Sequence, residues 1–309
     1  MGTPDFAVPC LRMLIREGYQ IEAVVTQPDK PKGRGKKLAS PPVKLCAQEF
    51  GIKVLQPEKV KTEDFINQLR SMEPDMLVTV AYGKILPKEI LDIPKLGCVN
   101  VHASLLPKYR GAAPIQWAII NGEKVTGITT MLTNIGMDTG DILLKSPVEI
   151  TDDMTAGELH DKLALLGADV LRETIEMLRA GILKPTPQNH DEATYAPMIK
   201  KEIGQINWNL SSGEIHNLVR GLNPWPGAYT FYNGERMRIW KTTLIDGEPE
   251  MKEKPGTICR VNREGLIIST GSGVIRVDEV QFDSCRTMSI GEYICGNRIV
   301  EGEILGQQM

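Results

Sequence analysis

Apolar and polar positions alternate in blocks along the first two-thirds of the chain. Short apolar runs at residues 21–26, 76–80, 98–102 and 128–132 read as buried strands. Segments with helical period lie between and after them, at 4–17, 62–72, 84–91, 113–121 and 155–180. Thr155, with Glu158 three residues on, predicts a capping box at the start of the last helix, and Gly181 sits where its C-cap is expected. This alternation predicts an α/β fold, a Rossmann-like doubly wound and mostly parallel sheet. In such a sheet the first strand is usually central. Here Gly2-Thr3-Pro4-Asp5-Phe6 reads as the turn after a strand that would lie upstream of Met1, so a preceding segment is expected.

The pattern changes after residue 181. Residues 182–204, with Pro185, Pro187, Gln188, Asn189 and His190, break periodicity and read as a linker. A helix is expected at 212–221. Short β segments follow at 228–232, 237–244, 256–260, 265–269 and 274–282, punctuated by Gly and Asn. Their close spacing predicts a small antiparallel barrel or sandwich. The expected organisation is an α/β domain at 1–181, a linker at 182–204 and a β-rich domain at 205–309.

Composition narrows the class. No stretch of the 309 residues approaches the roughly 20 apolar positions of a membrane span, and the chain does not open on a basic-then-apolar leader. The six cysteines are scattered without a C-x-x-C pair, which favours reduced thiols in a cytoplasmic protein. The histidines at 102, 160, 190 and 216 are too far apart to form a local metal site, so no metal is expected. A net charge of −3 argues against a globally nucleic-acid-binding surface. Residues 28–44 are different: Lys30, Lys32, Arg34, Lys36, Lys37 and Lys44 face Asp29 alone. The usual meaning of such a run is a solvated loop, but it can also engage phosphates. It lacks the spacing of a Walker loop or a dinucleotide fingerprint.

The chemistry concentrates at the end of the 98–102 run. Residues two apart on a strand face the same side, so Asn100 and His102 project together. They do so at a carboxyl edge, where open α/β sheets bind ligands. Pro107 disfavours helix at Leu106, so Ala103–Pro107 makes a loop. A second loop, Gly136-Met137-Asp138-Thr139-Gly140, centres on Asp138, with Asp141 the competing carboxylate. An amide and an imidazolium suit a developing oxyanion, and an Asp can hold and charge the ring. No Ser–base or Cys–base pair is apparent, so an incoming amine would be its own nucleophile.

The N-x-H, SLLP-x-x-RG and MD-x-G elements closely resemble the 10-formyltetrahydrofolate-dependent formyltransferase family. GTPDF, TQPDKPKGRGKKL, NVHASLLPKYRGAAPIQWAIINGE, ATYAPMIKKE and LNPWPGAY extend the resemblance over essentially the whole chain, and the basic loop and NPWPGA narrow it to members acting on initiator tRNA. The resemblance implies a formyl-transfer domain joined to an OB-like, tRNA-binding barrel. It implies transfer of formyl from 10-formyltetrahydrofolate to the α-amino group of methionyl initiator tRNA, by a chain acting as a monomer. It places Asn100, His102 and Asp138 in the catalytic trio and Ser104, Leu105, Leu106 and Pro107 in the folate loop. Tyr82 and Ile85 would line the pterin pocket by position, and Arg34, Lys36 and Lys37 would touch tRNA from a loop at 27–42. A formyl-transfer relative with a small acceptor, such as a nucleotide-linked amino sugar, is the second reading. The basic loop argues against it. A non-catalytic RNA-binding protein is the third, and the intact trio argues against that.

Overall fold

A computed structural model describes residues 1–32, 37–245, 253–283 and 285–306. The chain divides into two compact units. One comprises residues 1–114, 125–149 and 160–197, the other residues 115–124, 150–159 and 198–309.

The strands up to residue 197 are β1 (Val24–Val25), β2 (Lys30–Lys32), β3 (Lys37–Ala39), β4 (Val54–Leu55), β5 (Leu77–Val80), β6 (Cys98–His102), β7 (Arg110–Gly111), β8 (Val125–Leu132), β9 (Ile142–Glu149) and β10 (Tyr195–Ala196). The helices are α1 (Val8–Arg16), α2 (Pro42–Glu49), α3 (Glu63–Arg70), α4 (Lys88–Leu91), α5 (Pro114–Ile120) and α6 (Ala156–Arg179). Local sequence explains most of them. In α3, Glu63 and Asp64 occupy the positive first turn and Arg70 the last, while Phe65, Ile66 and Leu69 form the buried stripe. Proline at the first helical position starts α2, a helix the charge run at 28–44 had concealed. The Thr155–Glu158 capping box forms, with the Thr155 N–H donating to Glu158 Oε2 at 2.8 Å and the Glu158 N–H to Thr155 Oγ1 at 3.2 Å.

The principal sheet runs β5-β6-β8-β9, and β1 pairs with β4 in parallel beside it. Residues 1 and 2 bridge the two pieces. Gly2 N–H donates to the Val25 carbonyl at 3.0 Å, and Val80 N–H to the Met1 carbonyl at 2.9 Å. They thus occupy the central slot between β1 and β5. The parallel part ends at β6, because β8 is antiparallel to β6 and β9 to β8. The mostly parallel expectation is corrected for these strands. Residues 133–141 between β8 and β9 are too few for the crossover that a parallel neighbour needs. Strand β9 carries no clear two-residue burial period, since only Leu143 and Val148 are buried, and its Pro147 is a residue that strands tolerate at an edge. A core of Val25, Leu55, Phe65, Leu69, Ile90 and Cys98 joins strands β1, β4 and β6 to α3 and α4.

The second unit carries α7 (Ser212–Gly221), opened by a Ser211–Glu214 capping box. It is followed by β11 (Ala228–Tyr232), β12 (Glu235–Leu244), β13 (Ile258–Val261), β14 (Leu266–Ser269), β15 (Val274–Phe282), β16 (Met288–Ser289) and α8 (Ile290–Tyr293). All pairings are antiparallel in the order β11-β12-β15-β14-β13, with β16 on β15. Asn233 and Gly234 turn β11 into β12, both with positive φ, the geometry of a tight hairpin. The described ladder does not close into a barrel. β11 and β13 do not pair; isolated bridges, Gln205 with Tyr229 beside β11 and Thr257 with Ile304 next to β13, cover those edges instead. No described helix is long and apolar enough to cross a membrane.

Candidate active site

Strand β6 delivers Asn100 and His102 to the same face at its carboxyl end. Its parallel neighbour places Thr79 opposite Asn100, and the Thr79 hydroxyl donates to Asn100 Oδ1 at 2.9 Å. That bond occupies the acceptor end of the amide and leaves the N–H₂ end to face a ligand. His102 is 6% exposed. Its Nε2 lies 2.9 Å from the Tyr109 carbonyl, which can only accept, so Nε2 carries a proton. Nδ1 faces Asp138 Oδ2 at 3.7 Å, within electrostatic reach but short of a hydrogen bond. Nδ1 is therefore the nitrogen at which a proton can come and go.

The Asp138 carboxylate is itself anchored, because Gly111 N–H donates to Oδ2 at 2.8 Å. Asp138 has φ of 53°, a conformation short polar residues tolerate better than most. Asp141 belongs to the strand pairing instead, its carbonyl accepting from Leu132 N–H at 2.9 Å.

The loop after β6 is bonded mostly to itself and to β8. The Ser104 hydroxyl donates to the Lys108 carbonyl at 2.6 Å. Thr129 Oγ1 donates to the Ser104 carbonyl at 2.6 Å and accepts from Leu106 N–H at 3.1 Å. Ser104 and Leu106 are fully buried, whereas Leu105 and Pro107 are half-buried at the surface of the loop. Of these four residues, Leu105 and Pro107 can offer side chains to a ligand, while Ser104 and Leu106 shape the loop. Tyr82 points into the core with Leu86 and Ile90. Its hydroxyl has no partner among the described residues, and burial pushes its ionisation up to about 12. Ile85 is 71% exposed.

Arg34 and Lys36 lie outside the described residues, and Lys37 opens β3. The root of this basic hairpin is well defined. Asp29 accepts from Gln56 Nε2 at 2.8 Å, from Lys44 Nζ at 2.9 Å and from Ser40 at 3.0 Å. The Gln56 hydrogen bond, then Lys44, holds the Asp29 carboxyl below the usual carboxylate range. Gln27 Nε2 donates to the Tyr82 carbonyl at 2.9 Å, tying the root to the loop after β5.

Sequence reasoning missed Thr79, Tyr109, Gly111 and Thr129, and it treated Gln188 as linker. Thr79 and Thr129 left a readable signal: each lies in an apolar strand run, at 76–80 and 128–132, that a polar side chain interrupts.

A protonatable ring held between a carbonyl and a carboxylate, with a free amide two residues away, is equipment for acyl transfer to an amine. Comparison with known proteins narrows the class. The formyl transferase model matches residues 1–175, and the formyl transferase C-terminal domain model matches residues 198–298. Methionyl-tRNA formyltransferase of Acetivibrio thermocellus is 62% identical over 307 residues, covering 99% of this chain and 98% of the relative. The enzyme of that name from Ruminiclostridium cellulolyticum is 59% identical with the same coverage. The chain belongs to the formyl transferase family and, within it, to the methionyl-tRNA formyltransferases. The fold also resembles that of WlaRD, a sugar 3N-formyl transferase solved with dTDP and 5-N-formyl-THF. That likeness has a TM-score of 0.68 at 22% identity, over 92% of this chain and 97% of the other. HypX from Aquifex aeolicus in complex with tetrahydrofolic acid is similar at TM-score 0.57 and 19% identity, over 81% of this chain and 43% of that one.

Proposed function

We propose that the chain transfers the formyl group of 10-formyltetrahydrofolate to the α-amino group of methionyl initiator tRNA, yielding N-formylmethionyl-tRNA for translation initiation. The arrangement of Asn100, His102 and Asp138 carries the reading, because it supplies each task that aminolysis of a formyl donor requires. An α-amino group, with a pKa of about 8, is partly neutral at cell pH and attacks without a protein nucleophile. The Asn100 N–H₂ donates to the oxygen on which negative charge develops. His102, fixed through Nε2 by the Tyr109 carbonyl, takes the amine proton at Nδ1 directly or through a water, and returns a proton to N10 as the tetrahedral intermediate collapses and tetrahydrofolate leaves. The Asp138 carboxylate facing Nδ1 stabilises the imidazolium so formed. Leu105 and Pro107 offer apolar surface to the pteridine of the folate substrate, with Ser104 and Leu106 setting the loop; Tyr82 acts from beneath by packing and Ile85 from the rim.

Acceptor recognition is assigned to the basic hairpin, through Arg34, Lys36 and Lys37, and to the β-rich unit at 205–309, read as an OB-like tRNA-binding domain after the 182–204 linker. The chain is read as a cytoplasmic monomer. Arg34→Ala is expected to raise KM for charged tRNA and flatten its salt dependence by about one counterion, with kcat nearly unchanged. Formyl transfer to initiator versus elongator methionyl-tRNA, measured from 50 to 200 mM salt, tests both halves. Equal rates on a free amino sugar would overturn the acceptor assignment.

A further inference from the structure

Gln188 lies in the segment that its composition marks as a linker, yet it is 6% exposed, and its partner Arg110 is 2% exposed. The orientation of the Gln188 amide is forced. A guanidinium only donates and a backbone carbonyl only accepts. Gln188 Oε1 therefore accepts from Arg110 Nε at 3.1 Å and Nη2 at 2.6 Å. Its Nε2 donates to the Asp138 carbonyl at 2.9 Å and the Gly140 carbonyl at 2.7 Å. Both hydrogens and both lone pairs of one buried amide are used. Arg110 Nη2 also meets His190 Nδ1 at 3.2 Å.

The same stretch of chain is tied in at further points. β10 pairs in parallel with β7, the Tyr109 N–H donates to Thr194 Oγ1 at 2.9 Å, and the Arg110 N–H to the Thr194 carbonyl at 2.9 Å. Gly111, next to Arg110, is the donor to the Asp138 carboxylate. The loop bearing Asp138 is thus gripped twice: at its carboxylate by Gly111 and at two carbonyls by Gln188. Between β8 and Asp138, Asn134 Oδ1 accepts from Gly136 N–H at 3.0 Å and from Thr139 Oγ1 at 2.7 Å, bonds internal to the loop that do not tie it to the neighbouring segments.

We infer that Gln188, keyed by Arg110, is a positioning residue for the transfer reaction: it holds the Asp138 loop so that the carboxylate stays opposite His102 Nδ1. The inference rests on the reading of Asp138 as the acidic partner of His102. It makes residues 188–196 part of the catalytic unit.

The test uses the full chain and three variants. Gln188→Leu removes both the carbonyl donors and the acceptor for Arg110. Gln188→Glu keeps volume and the acceptor for Arg110 but turns an oxygen toward the two carbonyls. It separates loop holding from satisfaction of Arg110, and it keeps the test decisive should the Leu variant not fold. Asp138→Asn reports on the underlying reading. The expected result is a kcat loss of about 10- to 100-fold for both Gln188 variants, the scale of a misplaced catalytic group. KM for formyltetrahydrofolate and for methionyl-tRNA should stay within about 2-fold, and the pH–kcat profile should differ from wild type. A wild-type kcat and pH profile for Gln188→Glu beside an inactive Asp138→Asn would overturn the inference and leave the role of Asp138 standing. A melting temperature lowered with kcat unmoved would reduce Gln188 to a structural part and overturn it as well. An active Asp138→Asn would overturn the reading beneath it.

Discussion

His102→Ala lowers kcat by about 10²–10⁴-fold, the loss expected when a positioned general base is removed. Binding of methionyl-tRNA stays within about 2-fold, because the ring is buried and touches the Tyr109 carbonyl and the Asp138 side rather than any open surface. Asp138→Asn refines the result. Asparagine keeps an oxygen for the Gly111 N–H but deletes the negative charge facing Nδ1. Its kcat should fall by a comparable factor if charge is what matters, and much less if the residue only anchors the loop. Single-turnover formylation, with tRNA binding measured separately, distinguishes chemistry from affinity. A parallel loss of tRNA affinity in His102→Ala would remove the ring from the chemical step.

Gly140→Ala should be the most disruptive small substitution near the site. A Cβ there would stand 1.7 Å from the Leu132 carbonyl oxygen and 2.8 Å from its carbon. The clash is with backbone, so no rotamer relieves it. The adjacent Leu132–Asp141 hydrogen bond and the Gly140 carbonyl that accepts from Gln188 must both shift. Overpacking of this kind costs about 1–3 kcal/mol. The displaced loop carries Asp138, so kcat should drop by at least about 10-fold beyond the stability loss. Gly213→Ala is the control. It meets nothing within 4 Å and sits in the first turn of α7, so it should leave activity intact and gain at most about 0.5 kcal/mol of stability. Thermal melting and kcat of the pair check both. Wild-type activity in Gly140→Ala would show that the loop tolerates rearrangement.

The readable part of the site is the part written locally. Asn100 and His102 share a face because a strand has period two, and Pro107 announces the loop after them. Helices with clear stripes, such as α3 and α6, could be placed from their apolar spacing, to within a few residues at their ends. The antiparallel turn of the sheet at β8 and β9 was hidden, since an edge strand with only Leu143 and Val148 buried does not stand out from loop. Likewise α2 was masked by the lysines around its proline start.

Distance along the chain marks where sequence stops deciding. The pairing of Thr79 with Asn100, the approach of Asp138 to His102 and the grip of Gln188 on the Asp138 loop all join residues far apart in sequence. Their hydrogen bonds carry no periodic trace. Gln188 looks like linker because polar residues next to prolines usually are, and only folding against β7 shows its amide buried and fully bonded. The residue types and their spacing on β6 pointed by themselves to acyl transfer at this strand end. The tertiary structure decided how the acid is held on the imidazole, because hydrogen-bond geometry between distant segments exists only once strands and loops have packed.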